Sequence, residues 1–339
     1  MQQTNLGLIG AGRIGRLHAE NLARRIPAAN LLMVHDVVVE KAEKCAADFQ
    51  IPMVAPDPEA IFDSPEIDAV AICSSSDTHV EFIIEAAQAG KHIFCEKPIA
   101  LDLASIDRAL AVVEQNRVKL QVGFNRRFHA NFKEVRDQVA AGKIGRPHLV
   151  RITSRDSVPP PISYVKVSGG IFLDMTIHDF DMARYVIGHE VEEVFAVGAV
   201  LVDPAIGAMG DVDTVIITLR YANGAIGAID NSREAVYGYD QRVEVFGSKG
   251  VVIANNNRPH NVNLHAKDGA TTAPPHFNVL DLYRDSYIAE LKSFLEALRQ
   301  DAEPLVTGLD GRQPLVMGLA AAQSIRERRP VKLSEIKPS

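Results

Sequence analysis

Three stretches of this 339-residue chain hold residues of the type and spacing that could do chemistry. In GGIFLDMTIHDFDMARYVIG, residues 169–188, apolar positions recur with helical spacing. At about 100° per residue, Asp174, His178, Asp181 and Tyr185 then fall on one stripe of a single helix. Met175, Met182 and Val186 flank that stripe on one side and Ile177 on the other, so it is not an ordinary solvated face. An aspartate one turn before a histidine can orient or charge the imidazole, and imidazole takes up protons near neutral pH. Two other readings compete. His178 could be a core histidine satisfied by Asp174, or Asp174, His178 and Asp181 could ligate a metal. A lysine nearby disfavours the metal, because it would compete for the same carboxylates.

That lysine stands in FCEKPIA, where Glu96, Lys97 and Pro98 follow the apolar run HIF. Such a position is the carboxyl end of a buried strand, the edge of an open parallel sheet where ligands bind. Pro98 restrains the backbone there. A fixed lysine can donate a hydrogen bond to a hydroxyl and stabilise developing alkoxide charge. The plain alternative is a surface turn with two solvated charges. Paired with a histidine base for the hydroxyl proton, the lysine suits removal of hydride from an alcohol.

A hydride needs an acceptor, and GLIGAGRIG supplies a place for one. Gly10, Gly12 and Gly15 have the spacing that lets backbone turn tightly and approach a pyrophosphate at a helix N-terminus, with Ala11, Arg13 and Ile14 between them. Asp36 closes the next strand, where an acid binds ribose hydroxyls; by itself it would also serve as a helix N-cap before VVVEKA. Together these features point to a dinucleotide. Val37, Val38 and Val39 offer no arginine for a 2′-phosphate, so NAD is favoured over NADP, with His35 the one feature that softens the preference.

These residues need a frame. Up to about residue 123, short apolar runs alternate with amphipathic helical stretches, which predicts a parallel sheet with right-handed crossovers. After Phe124 the pattern changes to long β-patterned runs, with turn residues in YANGAIG and FGSKGVV and two closing helices. The expected class is α/β: a Rossmann domain over 1–123, then an α+β domain over 124–339 on a largely antiparallel open sheet. VEEVFAVGAVLV and AIGAID are too apolar for a fully wet sheet face, which predicts a homo-oligomer.

Composition narrows the classes further. Apolar content of 47% and charged content of 23% suit a globular protein. A net charge of −7 without a basic run argues against nucleic acid or anionic membrane as partner. MQQTNLGLIG has no basic region followed by a long apolar run, so no secretory leader is expected. Cys45, Cys73 and Cys95 have no metal-ligand spacing and are expected to be reduced thiols of a cytoplasmic protein.

The assembled phrases GLIGAGRIGRLHAENL, CSSSDTH, CEKPIALDL, QVGFNRRF, GGIFLDMTIHDFDMARYVIG and AVYGYDQRVEVFGSKG span nearly the whole chain. With them the chain resembles the glucose–fructose oxidoreductase, inositol dehydrogenase and rhizopine-catabolism (GFO/IDH/MocA) superfamily, most of all its bacterial inositol 2-dehydrogenase branch. The resemblance implies NAD-dependent oxidation of a cyclic polyol, myo-inositol first, with scyllo-inositol, another isomer or a pyranose as siblings. It implies Lys97, Asp174 and His178 as catalytic residues, and Ser74, Ser75, His79, Glu96 and Lys97 itself beside the cofactor. It implies Asn125, Arg127, Arg155, Asp156 and Tyr237 as substrate contacts, and a homotetramer joined through the second sheet. His129-Ala130 departs from the Asp-Pro of inositol-type relatives, next to that substrate set.

Overall fold

The computed structural model describes residues 3–338, which form two compact units. The first runs up to Phe128 and resumes at Asp285–Leu315; the second is His129–Arg284 with Val316–Lys337.

In the first unit, β1 (Thr4–Ile9), β2 (Ala29–His35), β3 (Met53–Val54), β4 (Ala69–Ile72), β5 (His92–Glu96) and β6 (Leu120–Gly123) make one parallel sheet in the order β3-β2-β1-β4-β5-β6. This is the Rossmann order, whose direction reverses between β1 and β4. Loops leaving those neighbouring strands therefore part to opposite sides and leave a crevice at their carboxyl ends. In the central strands Leu6, Leu8, Ala69, Val70, Ala71 and Ile72 are all buried, as expected for a sheet covered on both faces. Leu291, Phe294 and Leu295, from the helix Val279–Arg299, complete this core. The short β3 carries no alternation of its own and is fixed by pairing with β2.

In the second unit, β7 (Pro147–Arg155), β8 (Val191–Ala199), β9 (Thr214–Tyr221), β10 (Ile226–Ser232), β11 (Asp240–Gly247) and β12 (Gly250–Ala254) join a seven-stranded sheet whose last strand is Val331–Lys332. Only β7 and β10 run parallel within it; its other pairs are antiparallel. Burial alternates with period two along β7, β9 and β10, so one face is packed and the other open. The packed face carries Val150, Ile152, Val215, Ile217, Ile229 and Val243. The polar tract after β12 is a two-stranded hairpin, Asn263–Ala266 with Gly269–Thr272. No helix among the described residues is long and apolar enough to cross a membrane.

The single helix expected over 169–188 is two: Gly170–Asp174 and Ile177–Ile187, broken at Met175 and Thr176. Gly169 and Gly170 both take positive φ, near 80°, so the first piece starts from a left-handed turn and has too few residues to set the axis of the second.

Candidate active site

The glycine loop begins where β1 ends. Gly10 turns with φ +97°, and its N–H donates to the His35 carbonyl at 2.8 Å. A Cβ on Gly10 would stand 2.6 Å from the Cys73 carbonyl and the Ser74 nitrogen, and one on Gly15 would collide with the Gly10 carbonyl. Gly10 is required by packing between the loops after β1 and β4, and Gly15 by the close approach of the helix to the Gly10 carbonyl. Gly12 differs: a Cβ there meets nothing within 4 Å. It is the N-cap of the helix Arg13–Arg24, which has no side-chain cap and no acid in its first turn. Asp36 lies against the same loop, its Oδ2 accepting from the Ala11 N–H at 2.7 Å and its Oδ1 from Val38 N–H at 2.9 Å. Open space at an uncapped helix N-terminus, with a buried carboxylate beside it, fits a pyrophosphate and an adenosine ribose. Val37, 90% exposed next to Asp36, provides no cation for a 2′-phosphate.

The Lys97 turn is tied down from both sides within the same unit. Glu96 Oε1 lies 2.7 Å from His18 Nε2 on the cofactor helix, and Glu96 Oε2 accepts from the Lys97 N–H at 3.3 Å. Across a cis peptide, the Pro98 carbonyl meets His79 Nδ1 at 2.8 Å, while His79 Nε2 faces the Ser74 carbonyl at 3.2 Å. Burial pushes the His79 pKa down although both carbonyls pull it up. The ring thus fastens the loop after β4 to the Lys97 turn. Ser74 Oγ in turn pairs with Thr78 Oγ1 at 2.7 Å.

In the second unit Asp174 is the last residue of its short helix. Its Oδ1 accepts from Tyr164 Oη at 2.8 Å and its Oδ2 from Arg233 Nη1 at 3.1 Å. Arg233 is wholly buried and also lies 3.7 Å from Asp211, whose carboxylate accepts the Ile171 N–H. His178 is the second residue of the next helix, partly exposed, its N–H reaching the Met175 carbonyl at 3.3 Å. That helix is clamped to β10: Thr176 Oγ1 donates to Asn231 Oδ1 at 2.6 Å, and Asn231 Nδ2 to Asp179 Oδ2 at 2.9 Å. Of the expected stripe, Asp181 is fully buried, whereas Asp174, His178 and Tyr185 keep some exposure.

Comparison with known proteins matches these two constellations to one family. The profile described as an oxidoreductase family with an NAD-binding Rossmann fold matches residues 4–124, and the GFO/IDH/MocA C-terminal domain matches residues 132–253. The chain belongs to the GFO/IDH/MocA oxidoreductases. It is 50% identical over 331 residues to the myo-inositol 2-dehydrogenase of Thermotoga maritima, covering 98% of this chain and 99% of that one. It is 45% identical to an inositol 2-dehydrogenase of Rhizobium meliloti, covering 97% and 98%. A scyllo-inositol dehydrogenase of Lactobacillus casei, solved with bound NAD(H) and scyllo-inositol, superposes with a TM-score of 0.91 at 29% identity, covering 98% and 99%. An NAD-binding Rossmann unit and a CH–OH oxidoreductase are thereby shown, as the residue spacing predicts.

Within this GFO/IDH/MocA chain the expected substrate residues fall into different settings. Asn125 and Arg127 lie just after β6, both buried, and Arg127 pairs with Asp310 Oδ1 at 2.9 Å and the Leu305 carbonyl at 3.3 Å. Asp156 follows β7, its N–H donating to the Ser232 carbonyl at 3.0 Å. Arg155 does not join His178. Strand alternation sends Ser154, Asn231 and Gln241 to the helix-covered face and Arg155, Asp230 and Asp240 to the open one. There Arg155 binds Asp230 Oδ1 at 2.6 Å and Tyr237 Oη at 3.1 Å, and Tyr237 donates to Asp240 Oδ2 at 2.5 Å. Ser75 is exposed at the N-cap of the turn Ser76–Thr78. Residue spacing missed Tyr164, Arg233 and His18. Arg233 carries no local signal, since it follows the polar Asp230, Asn231 and Ser232.

Proposed function

We propose that this chain oxidises one ring hydroxyl of an inositol to a ketone with NAD, the leading reaction being myo-inositol to 2-keto-myo-inositol. The observation that carries this reading is the Asp174 carboxylate, held by Arg233 and Tyr164 at the end of the short helix that precedes the one bearing His178. Full-length likeness to inositol 2-dehydrogenases supports the substrate class.

The glycine loop, Asp36 and the Ser74–Ser75 loop would hold NAD, whose nicotinamide, when bound, takes the hydride from the carbinol carbon. His178 accepts the hydroxyl proton. Lys97 Nζ donates to the same oxygen and stabilises the alkoxide as it forms. Asp174 balances the positive charge that proton transfer places on the imidazole. Arg233 and Tyr164 keep that carboxylate from turning away. Asn125, Arg127 and Asp156 are read as orienting the remaining hydroxyls, and Arg155 with Tyr237 as an outer-face cluster.

As part of this reading the protein works in the cytoplasm as a homotetramer. Its cysteines are all free thiols, and the open face of the second sheet carries large apolar side chains. The test is an initial-rate panel of myo-inositol, scyllo-inositol, other isomers and glucose with NAD, followed by nicotinamide absorbance. The highest kcat/KM is expected on myo-inositol. Equal turnover of wild type and Lys97→Ala on every polyol would end the reading.

A further inference from the structure

Beneath the Lys97 turn lies a carboxyl group that the reaction above does not use. Glu290, on the helix Val279–Arg299, is fully buried, and no hydrogen-bond donor among the described residues reaches either of its carboxyl oxygens. The carboxyls of Glu290 and Glu96 and the imidazole of His18 each present an atom within 4.8 Å of the other two. Aromatic rings and buried thiols surround them. Phe94 and Tyr287 stand edge-on to the His18 ring at 5.1 and 5.7 Å, and Cys73 and Cys95 are buried thiols. Gln121 Nε2 donates to the Glu290 main-chain carbonyl at 2.8 Å and so fixes the helix, not the acid.

Two carboxylates so close in such a place cannot both be ionised at acceptable cost. Glu96 has the better claim to the charge. It accepts from the Lys97 N–H, contacts His18 Nε2, and precedes the Lys97 cation. Gly123 leaves it room, since a Cβ there would stand 3.1 Å from the Glu96 carboxyl. Glu290 has no donor of its own; burial first, and then the charge of Glu96, push its pKa well up. The nearby Cys73 and Cys95 thiols are also held protonated by burial. A neutral Glu290 carries an O–H, and the nearest anionic acceptor is Glu96.

We propose that Glu290 is a positioning residue: as a neutral acid it donates to Glu96 and, with His18, sets the Glu96-Lys97-Pro98 turn so that Lys97 meets the substrate hydroxyl. The inference rests on the reading of Lys97 given above. A divalent cation could neutralise the two acids instead, but it would have to displace the contact between His18 and Glu96.

Infrared difference spectra of wild type against Glu290→Gln at neutral pH test the proton directly. The expected result is the carbonyl stretch of a protonated carboxyl, present in wild type and gone in the variant. In kinetics, Glu290→Ala is expected to lower kcat about tenfold with NAD affinity kept, and Glu290→Gln to restore most of it. A merely structural acid would change folding stability and NAD affinity without that split. The proposal is overturned by a missing band, by wild-type kcat in Glu290→Ala, or by a stoichiometric metal in the purified protein. If Glu290→Ala does not fold, the spectra of wild type and Glu290→Gln decide. If wild type turns over no inositol, the functional reading fails while the band still tests the buried proton.

Discussion

Arg233 donates from Nη1 to Oδ2 of Asp174 at 3.1 Å with its guanidinium wholly out of water. A cation so placed is kept there by its anions, Asp174 and the more distant Asp211, and they by it. Removing one partner of a buried pair leaves the other uncompensated. Arg233→Met should therefore cost about 3 kcal/mol of folding stability, measured by urea unfolding. Arg233→Lys should recover part of that but little kcat, because an ammonium cannot reproduce the guanidinium fork. A variant with wild-type stability and kcat would remove Arg233 from the account.

Lys97 is proposed to act only as charge develops on the substrate oxygen. Lys97→Met should then lower kcat by about a hundredfold or more while NAD affinity, read by nicotinamide fluorescence titration, is kept. Loss of NAD binding alone, with kcat retained at saturation, would make the residue a cofactor contact instead.

Local pattern made the Rossmann half legible because each of its devices is short-range. The glycine spacing, the acid at the end of β2 and the alternation of strands with helices all sit within consecutive residues. Packing shows the local and the distant side by side: Gly15 is forced by the Gly10 carbonyl five residues before it, whereas Gly10 is forced by Cys73 and Ser74 after β4. What stayed hidden was long-range. Glu290 lies far along the chain from Glu96, and Asp285–Leu315 returns to the first unit without any local mark. The break at Met175 and Thr176 also eluded periodicity, because both pieces keep helical spacing and the interruption is set by the clamp of Thr176 and Asp179 on Asn231. Strand alternation separates Arg155 from Ser154 within β7, but the partners each one meets, Asp230 and Gln241, depend on the register of strands distant in sequence.

Asp36 should decide the choice of dinucleotide. Its Oδ2 takes the Ala11 N–H, and the residues beside it are valines. Asp36→Ala is expected to lower kcat/KM with NAD by about tenfold or more, through lost ribose contacts and an unsatisfied loop N–H, while NADP use rises relative to NAD. A wild-type efficiency greater with NADP than with NAD would contradict the reading.

Acid should weaken the second sheet through Asp240. Burial alone would raise its pKa, but donors on Arg242, Tyr237 and Asn256 outweigh it and hold the carboxyl below the ordinary aspartate range. A group whose folded pKa is depressed contributes stability above its unfolded pKa, about 3.9, and loses it as pH falls through the folded value. Thermal midpoints should thus fall steeply below about pH 4 in wild type. Asp240→Asn should start lower at neutral pH and show a flatter acid limb. Parallel limbs would mean that other carboxylates dominate.

The open face of the second sheet should be where copies of the chain meet. Register places Ile226, Leu149, Phe246 and Val251 in one row across β10, β7, β11 and β12, with Val197 and Ile216 paired on the same face of β8 and β9. Ile226, Phe246, Val251, Val197 and Ile216 are each 47–58% exposed, too much contiguous apolar surface for a wet sheet. In a two-fold interface each substitution acts twice. Phe246→Glu removes about 2 kcal/mol of apolar burial per copy, so about 4 kcal/mol and roughly a thousandfold in subunit affinity. Sedimentation of wild type should give a tetramer, and of Phe246→Glu a smaller species with the same far-UV circular dichroism. A wild-type monomer of 36.9 kDa would show that this face serves some other purpose.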